Sequence, residues 1–305
     1  MTPTYTESFN IEPLEPFGAV VTGIGAVGDM PAEVLATVVK AFGRHGLLVF
    51  RGLALDDDQQ TAFSRQFGDL IEHPKGMRMY QSALQSSPTI LNLTNVDENG
   101  EIMSADAELI RAVYRGNTLW HTDGSTRTVP PMASILSARI LPPWGGNTEF
   151  ADMRAAWDAL PDAMQKELLS LITEHSIAHS RKAVGYVYDA DESGAQKATP
   201  QALVRIHSPS GRKALYFGSY ASHIIGWPME QGRALLDELM DFATQDRFVY
   251  RHAWRNGDIV MWDNRCMMHR VRPWDVEHQP RVMRRTTLAG WEQTLKDGRS
   301  AVVGS

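Results

Sequence analysis

The last third of the chain decides most about what it can fold into, because three of its segments alternate apolar and polar residues with the two-residue period of a strand. They are FVYRHAW (248–254), DIVMWDN (258–264) and MRRTTLAG (283–290), separated by turn signals at Asn256–Gly257 and around Pro273. Just upstream, LVRIH (203–207) and KALYFG (213–218) flank the turn cluster SPSGR and read as a hairpin. Strands therefore dominate the C-terminal half.

Helical periodicity is confined to a few blocks between these groups of strands. EVLATVVKAFGRH (33–45) stops at Gly46 and leads into the apolar strand LLVF (47–50). LDDDQQTAFSRQFG (55–68) has acidic residues in its first turn and a terminal glycine. Residues 152–175 show an aspartate cap and two helical stretches broken at Pro161, and residues 229–244 form another helix. Between about 69 and 113 only TILNLTNV (89–96) alternates, so that region is expected to be loop-rich and to be the place for a lid. No repeat or flexible linker divides the chain, and helices do not alternate regularly with strands. The expected class is α+β with a β-sandwich or jelly-roll core, residues 1–305 forming one domain. A doubly wound nucleotide fold is disfavoured, since Gly23 and Gly25 lack the rest of a glycine-rich phosphate loop.

Composition narrows the partners. A formal net charge of -6 gives no basic footprint for nucleic acid. Cys266 is the sole cysteine and can form no intrachain disulfide, which suits a reducing cytosol. The N-terminus lacks a basic region followed by an apolar core, and no window nears the roughly 18 apolar residues of a membrane span. The expectation is a cytoplasmic protein that binds neither membrane nor nucleic acid, with a homo-oligomeric state left open.

In GNTLWHTDGST, His121 and Asp123 lie two apart, so on an extended segment both side chains leave one face and can chelate one ion. His269, after DIVMWDN, would complete two histidines and one carboxylate, a set that leaves coordination sites open and suits iron(II) better than hydrolytic zinc. His-X-Asp alone also arises by chance. In RVMRRTT, Arg281, Met283 and Arg285 share one strand face while Val282, Arg284 and Thr286 take the other. Were that face buried, its guanidinium groups would need carboxylates or bound anions; the alternative is a solvated edge strand.

Several long motifs occur together in one order: LLVFRG with DDQQTAFSRQFG, WHTDGS, PPWGGNTEFADMRAAWDALP, HSPSGRKALYFG, WDNRCMMHR and RVMRRTTL. In these the chain resembles the taurine dioxygenase and 2,4-dichlorophenoxyacetate dioxygenase family of iron(II)/2-oxoglutarate enzymes over nearly its whole length. The resemblance implies a double-stranded β-helix (jelly roll) with flanking helices, and His121, Asp123 and His269 as iron ligands. It also implies that Arg281 pairs with the distal carboxylate of 2-oxoglutarate assisted by Thr148, that Arg285 grips an acidic group of the substrate, and that Asn117 contacts substrate. By spacing alone Thr148 is equally a turn or strand residue after Gly145–Gly146.

The implied chemistry consumes 2-oxoglutarate and O2 and oxidises a small organic anion, with release of succinate and CO2. SGRKALYFGSYASHIIG and WDNRCMMHR look closer to the aryloxyalkanoate-cleaving branch, in which hydroxylation beside the ether oxygen frees a phenol. The alternatives are a taurine, alkylsulfonate or other small-acid dioxygenase, a divalent-metal hydrolase, and an inactive binding protein of the same fold. His73 and Lys75 are further candidates for substrate contact. His207 and His223 read as structural or surface histidines, Trp120 and Trp262 as core, and Cys266 as a buried inert thiol.

Overall fold

The computed structural model describes residues 9–25, 28–73, 87–97, 99–103, 114–187 and 197–302. The first half runs β1 (Asn10–Pro13), β2 (Ala19–Thr22), α1 (Ala32–His45), β3 (Leu47–Phe50), α2 (Asp57–Arg65), β4 (Leu91–Thr94) and β5 (Ala133–Ile140). Then come β6 (Thr148–Asp152), α3 (Met153–Asp158), α4 (Asp162–Leu168), β7 (Ile172–His175), α5 (Ile177–Lys182), β8 (Thr199–Ala202), β9 (Val204–His207), β10 (Arg212–Leu215) and β11 (Ala221–Ile224). The chain continues with α6 (Met229–Ala243), β12 (Val249–His252), β13 (Ile259–Asp263), β14 (Met267–Val271) and β15 (Val282–Leu288). Strands grouped away from helices make the class α+β, as expected.

The largest sheet has seven strands in the order β1-β2-β3-β13-β5-β15-β4. Its alternating residues serve two cores. Val49, Leu136, Val260, Trp262 and Met283 point to one side, where they join Phe150, Ala151 and Met267 of a second sheet ordered β12-β6-β14; the Phe150 and Trp262 rings lie 5.4 Å apart. Leu48, Phe50, Ile135 and Met261 point to the other, against Val38 and Phe42 of α1 and Phe63 of α2. Burial on both faces explains why LLVF and IVMW read as continuous apolar runs. Each such side chain fully removed from water contributes about 1.5–3 kcal/mol before entropy is counted.

β15 lies between β5 and β4, not at an edge, so the solvated-edge alternative for RVMRRTT is ruled out. The split of its faces holds: Thr286 meets Ser64 of α2 at 2.6 Å and Arg284 approaches Asp57 at 3.6 Å, while Arg285 turns to the opposite side. The 203–218 hairpin forms as β9 and β10, with His207 opposite Arg212. The second helical stretch of 152–175 needs correction. Helix α4 ends at Leu168, and Ile172–His175 is β7, paired with both β8 and β11. Two β-branched residues and two strand neighbours outweigh the local helical pattern there. Lys75 and most of the stretch expected to hold a lid lie outside the described residues.

Two caps fix how helices meet the sheets. α2 opens with a full capping box between Asp56 and Gln59. α1 ends at Gly46, whose φ of 69° and N–H bond to Phe42 O close the helix; a Cβ there would lie 2.5 Å from Met267 Cε. The last carbonyls of α1 are taken up by the buried Arg154, whose Nη1 donates to Arg44 O (3.2 Å) and Nη2 to His45 O (3.0 Å). The same guanidinium forks onto Asp152, Nε to Oδ1 at 3.0 Å and Nη2 to Oδ2 at 2.9 Å. Asp152→Ala leaves that buried cation without its anion, and we expect a loss of about 3–5 kcal/mol. Urea unfolding followed by circular dichroism measures it, and a change below about 1 kcal/mol contradicts the pairing.

Candidate active site

The site forms where the strand pair β6–β14 of the second sheet meets the segment before β5. His121 and His269 exchange both backbone hydrogen bonds, His121 N to His269 O at 3.0 Å and His269 N to His121 O at 2.8 Å. The ring centroids are thereby 4.2 Å apart. Extended pairing stops there, since Asp123 already lies in a turn, yet its carboxylate still converges on the two rings. One ligand atom from each of His121, Asp123 and His269 lies within 4.8 Å of the others, and all three residues are buried.

The three side chains are held differently. His121 Nδ1 lies 2.8 Å from Leu119 O, which can only accept; Nδ1 therefore carries the proton and Nε2 the free lone pair. His269 is held by packing, with Trp262 at 4.6 Å and Phe150 stacked at 6.1 Å, and its Nδ1 has no hydrogen-bond partner among the described residues. Asp123 receives Arg285 Nη1 on Oδ1 and Ser134 Oγ on Oδ2, each at 2.7 Å, and Asn264 Nδ2 in turn donates to Ser134 Oγ at 3.0 Å.

Electrostatics follow from burial and neighbours. Burial lowers the basicity of both imidazoles, opposed at His121 by Asp123 and at His269 reinforced by His121, so both stay neutral with lone pairs available. Burial alone would raise the Asp123 carboxyl, but Arg285, His269, His121 and the Ser134 hydroxyl hold it well below the usual carboxylate range. Two neutral imidazoles and a carboxylate are the donor set for a divalent iron-like ion with open positions.

Arg281 is 5% exposed and has no carboxylate partner among the described residues. Its Nη2 donates to Gly146 O (3.1 Å), its guanidinium lies over Trp274 at 5.0 Å, and Nε makes no hydrogen bond. Burial, partly offset by Tyr114, draws this guanidinium down to about 10. Gly146, at φ 64°, permits the approach, because a Cβ would sit 3.1 Å from Arg281 Nε. Thr148, two residues on in β6, accepts a hydrogen bond from Trp254 Nε1 at 3.0 Å. Asn117 lies half-buried in the helical turn at 114–117, with no side-chain hydrogen bond among the described residues.

Other histidines divide as expected or gain definition. Burial first, then Arg285 and Arg127, pull His73 down to about 4, which sets it in the electrostatic field of the site as a neutral group. His207 bonds Asp263 Oδ2 (3.0 Å) and Ser210 Oγ (2.7 Å), and Asp263 is also forked by Arg265. Cys266 is close by, its thiol pushed up by burial, so this second His/Asp/Cys group is a satisfied structural network. His223 sits near the surface, 3.8 Å from Glu174. Sequence reasoning missed Ser134 and Asn264, which hold Asp123 from β5 and from the turn after β13. Asn264 lies inside the WDNRCMMHR motif, but nothing local marks Ser134.

The family model described as "Taurine catabolism dioxygenase TauD, TfdA family" matches residues 10–287. The alpha-ketoglutarate-dependent 2,4-dichlorophenoxyacetate dioxygenase of Burkholderia sp. (strain RASC) is 43% identical over 284 residues, 92% of this chain and 95% of that one. The (S)-phenoxypropionate/alpha-ketoglutarate-dioxygenase of Sphingobium herbicidovorans is 35% identical over 292 residues, 93% of this chain and 96% of that one. Among solved structures, AAD-2 in complex with Mn(II) and N-oxalylglycine matches with a TM-score of 0.89 at 39% identity, covering 94% of this chain and 100% of that one. The chain belongs to the TauD/TfdA family of dioxygenases.

Proposed function

We propose that this protein is an iron(II)/2-oxoglutarate-dependent dioxygenase that hydroxylates a small aryloxyalkanoate beside its ether oxygen, so that the product collapses to a phenol. The observation that carries the reading is Arg281, a buried guanidinium without a carboxylate among the described residues, immediately before β15, the strand that presents Arg285 to Asp123. A metal hydrolase has no use for such an anion clamp, whereas a dicarboxylate cosubstrate supplies the missing charge. The complex of AAD-2 with Mn(II) and N-oxalylglycine, itself a dicarboxylate, supports this assignment, and the relatives that act on 2,4-dichlorophenoxyacetate and phenoxypropionate support the substrate class.

In this reading His121, Asp123 and His269 are the iron ligands. Bound iron(II), with 2-oxoglutarate and O2, supplies the oxidant, turning the cosubstrate into succinate and CO2 and delivering one oxygen atom to a C–H bond. Arg281 orients the distal carboxylate of 2-oxoglutarate, and Thr148 lines the same end of β6. Arg285 draws in the anionic head of the substrate, and Asn117 contacts its body. Trp262 and Phe150 back the His269 ring and keep water from that side. The hydroxylated carbon bears the ether oxygen, so it is a hemiacetal or hemiketal that breaks down without further catalysis.

The two packed sheets are read as the double-stranded β-helix of the family, residues 1–305 as one domain, and the protein as cytoplasmic. Among the described residues no helix is long and apolar enough to cross a membrane. The proposed partner is a small anion, with no role for nucleic acid or membrane; a homo-oligomer is compatible.

Alanine at His121, Asp123 or His269 is expected to lower bound iron at least tenfold and to abolish succinate formation, with the circular-dichroism melt little changed for the two histidine variants because the framework is preformed, and lowered for Asp123→Ala, which leaves Arg285 without its carboxylate. Iron analysis of the purified variants checks this. Arg281→Ala should chiefly raise the 2-oxoglutarate requirement, and Arg285→Ala that for the aryloxy acid. Loss of a desolvated charge partner costs on the order of 2–5 kcal/mol, at least tenfold in affinity. Titrating each ligand against each variant separates the roles. With a phenoxyacetate, phenol and succinate should appear in equal amounts; turnover of taurine alone contradicts the substrate class and leaves the dioxygenase assignment standing.

A further inference from the structure

Five arginines are buried among the described residues: Arg154, Arg181, Arg205, Arg265 and Arg281. Three of them meet a carboxylate, Arg154 on Asp152, Arg265 on Asp263 and Arg205 on Glu292. Arg281 has its anion in the proposed cosubstrate. Arg181, 3% exposed on α5, has none: it enters no ion pair among the described residues, and its Nε and Nη1 lack any hydrogen-bond partner. A guanidinium so buried is costly unless an anion meets it.

Its position connects it to the site. α5 is fixed by Ser180 Oγ, 3.0 Å from Ser219 Oγ, and Ser219 N donates to Trp120 O at 2.8 Å, immediately before His121. The Arg181 guanidinium fills the space in which a Cβ on Gly116 would stand, and so abuts the helical turn that carries Asn117. The charged head therefore lies against the turn that carries Asn117, ahead of His121 in the chain.

We propose that Arg181 is a second anion-binding residue of the active site, and that its ligand is the carboxylate of the primary organic acid. This rests on the dioxygenase reading above, which already assigns the other charges: Arg281 takes the distal carboxylate of 2-oxoglutarate, and the cosubstrate's remaining carboxylate belongs at the metal. Arg285 is partly committed, because its Nη1 donates to Asp123 Oδ1 at 2.7 Å. A substrate carboxylate held by Arg285 alone would compete with a metal ligand for that guanidinium. Arg181 carries no such commitment among the described residues, and Gly116 is the small residue that lets it reach the turn.

The test uses Arg181→Met, which keeps the apolar stem and removes the charge, and Arg181→Lys, which keeps a cation. Calorimetric titration of the Mn(II)-loaded protein is performed without O2, using phenoxyacetate, its neutral amide and 2-oxoglutarate. The proposal expects at least a tenfold rise in the phenoxyacetate Kd for Arg181→Met, partial recovery in Arg181→Lys, and no change for the amide or for 2-oxoglutarate. The thermal midpoint should not fall, since an uncompensated buried charge has been removed; a structural arginine would lower it. Should Arg181→Met fail to fold, Arg181→Lys decides, with a Kd for phenoxyacetate raised but the amide unaffected. Unchanged phenoxyacetate binding, equal losses for acid and amide, or a shift confined to 2-oxoglutarate each overturn the proposal and leave the dioxygenase reading intact. If the wild-type protein binds 2-oxoglutarate but no aryloxy acid, the substrate reading falls, and this proposal with it.

Discussion

A guanidinium placed in a protein interior has to be met by negative charge, and the arrangement of this molecule follows from how each buried arginine meets it. Arg154 and Arg265 fork onto aspartates two residues away, Asp152 and Asp263, which makes them local structural clasps at the ends of β6 and β13. Arg285 reaches Asp123, a partner 162 positions away in sequence, and so ties the middle of the large sheet to the turn after His121. Arg281 and Arg181 have no such partner among the described residues. Arg281 lies against Gly146 and Trp274, just ahead of β6, and Arg181 lies against Gly116, just ahead of His121. Positive charge left unmatched is concentrated where small anions are proposed to bind, and that concentration is what favours their entry.

The large sheet makes this placement affordable. With α1 and α2 over one face and the second sheet over the other, successive residues of one strand face different surroundings. On β15 this sends Thr286 and Arg284 to α2 and Met283 and Arg285 inward. A one-residue slip would exchange the two sets and bury the wrong charges. Pairing on both sides, with β5 and β4, prevents that slip.

That two-faced pattern was readable from RVMRRTT because the period of a strand is independent of its neighbours. The glycine stop at 46, the aspartate cap at 152 and the hairpin at 203–218 were readable for the same reason, each being local chemistry. The triad was legible as a constellation only through motif order, since spacing alone could pair His121 with Asp123 but not bring in His269. What could not be read depends on distant partners. Ile172–His175 follows a helix and becomes a strand through β8 and β11. Ser134 looks like any strand serine until Asp123 folds over it, and Arg181 looks like a solvated helix residue until Gly116 closes on it.

The way the three proposed ligands are supported bears on what the metal has to do. Their positions are set by the backbone exchange between His121 and His269, by Leu119 O on one imidazole, by aromatic packing on the other, and by Ser134 and Arg285 on the carboxylate. None of these contacts requires an ion, so the converging geometry belongs to the fold and binding an ion adds to it instead of creating it. The supports are also unequal. His121 is fixed in tautomer by an acceptor that cannot reverse its role, whereas His269 is fixed in place by Trp262 and Phe150 with its Nδ1 left unbonded. Tautomer at His269 is then set from its Nε2 side, which faces Asp123 Oδ2 at 3.8 Å. A divalent ion held by the three residues would take the Nε2 lone pair and leave the proton on Nδ1, so His269 would be the proposed ligand whose tautomer metal binding selects, while that of His121 is already chosen by the chain.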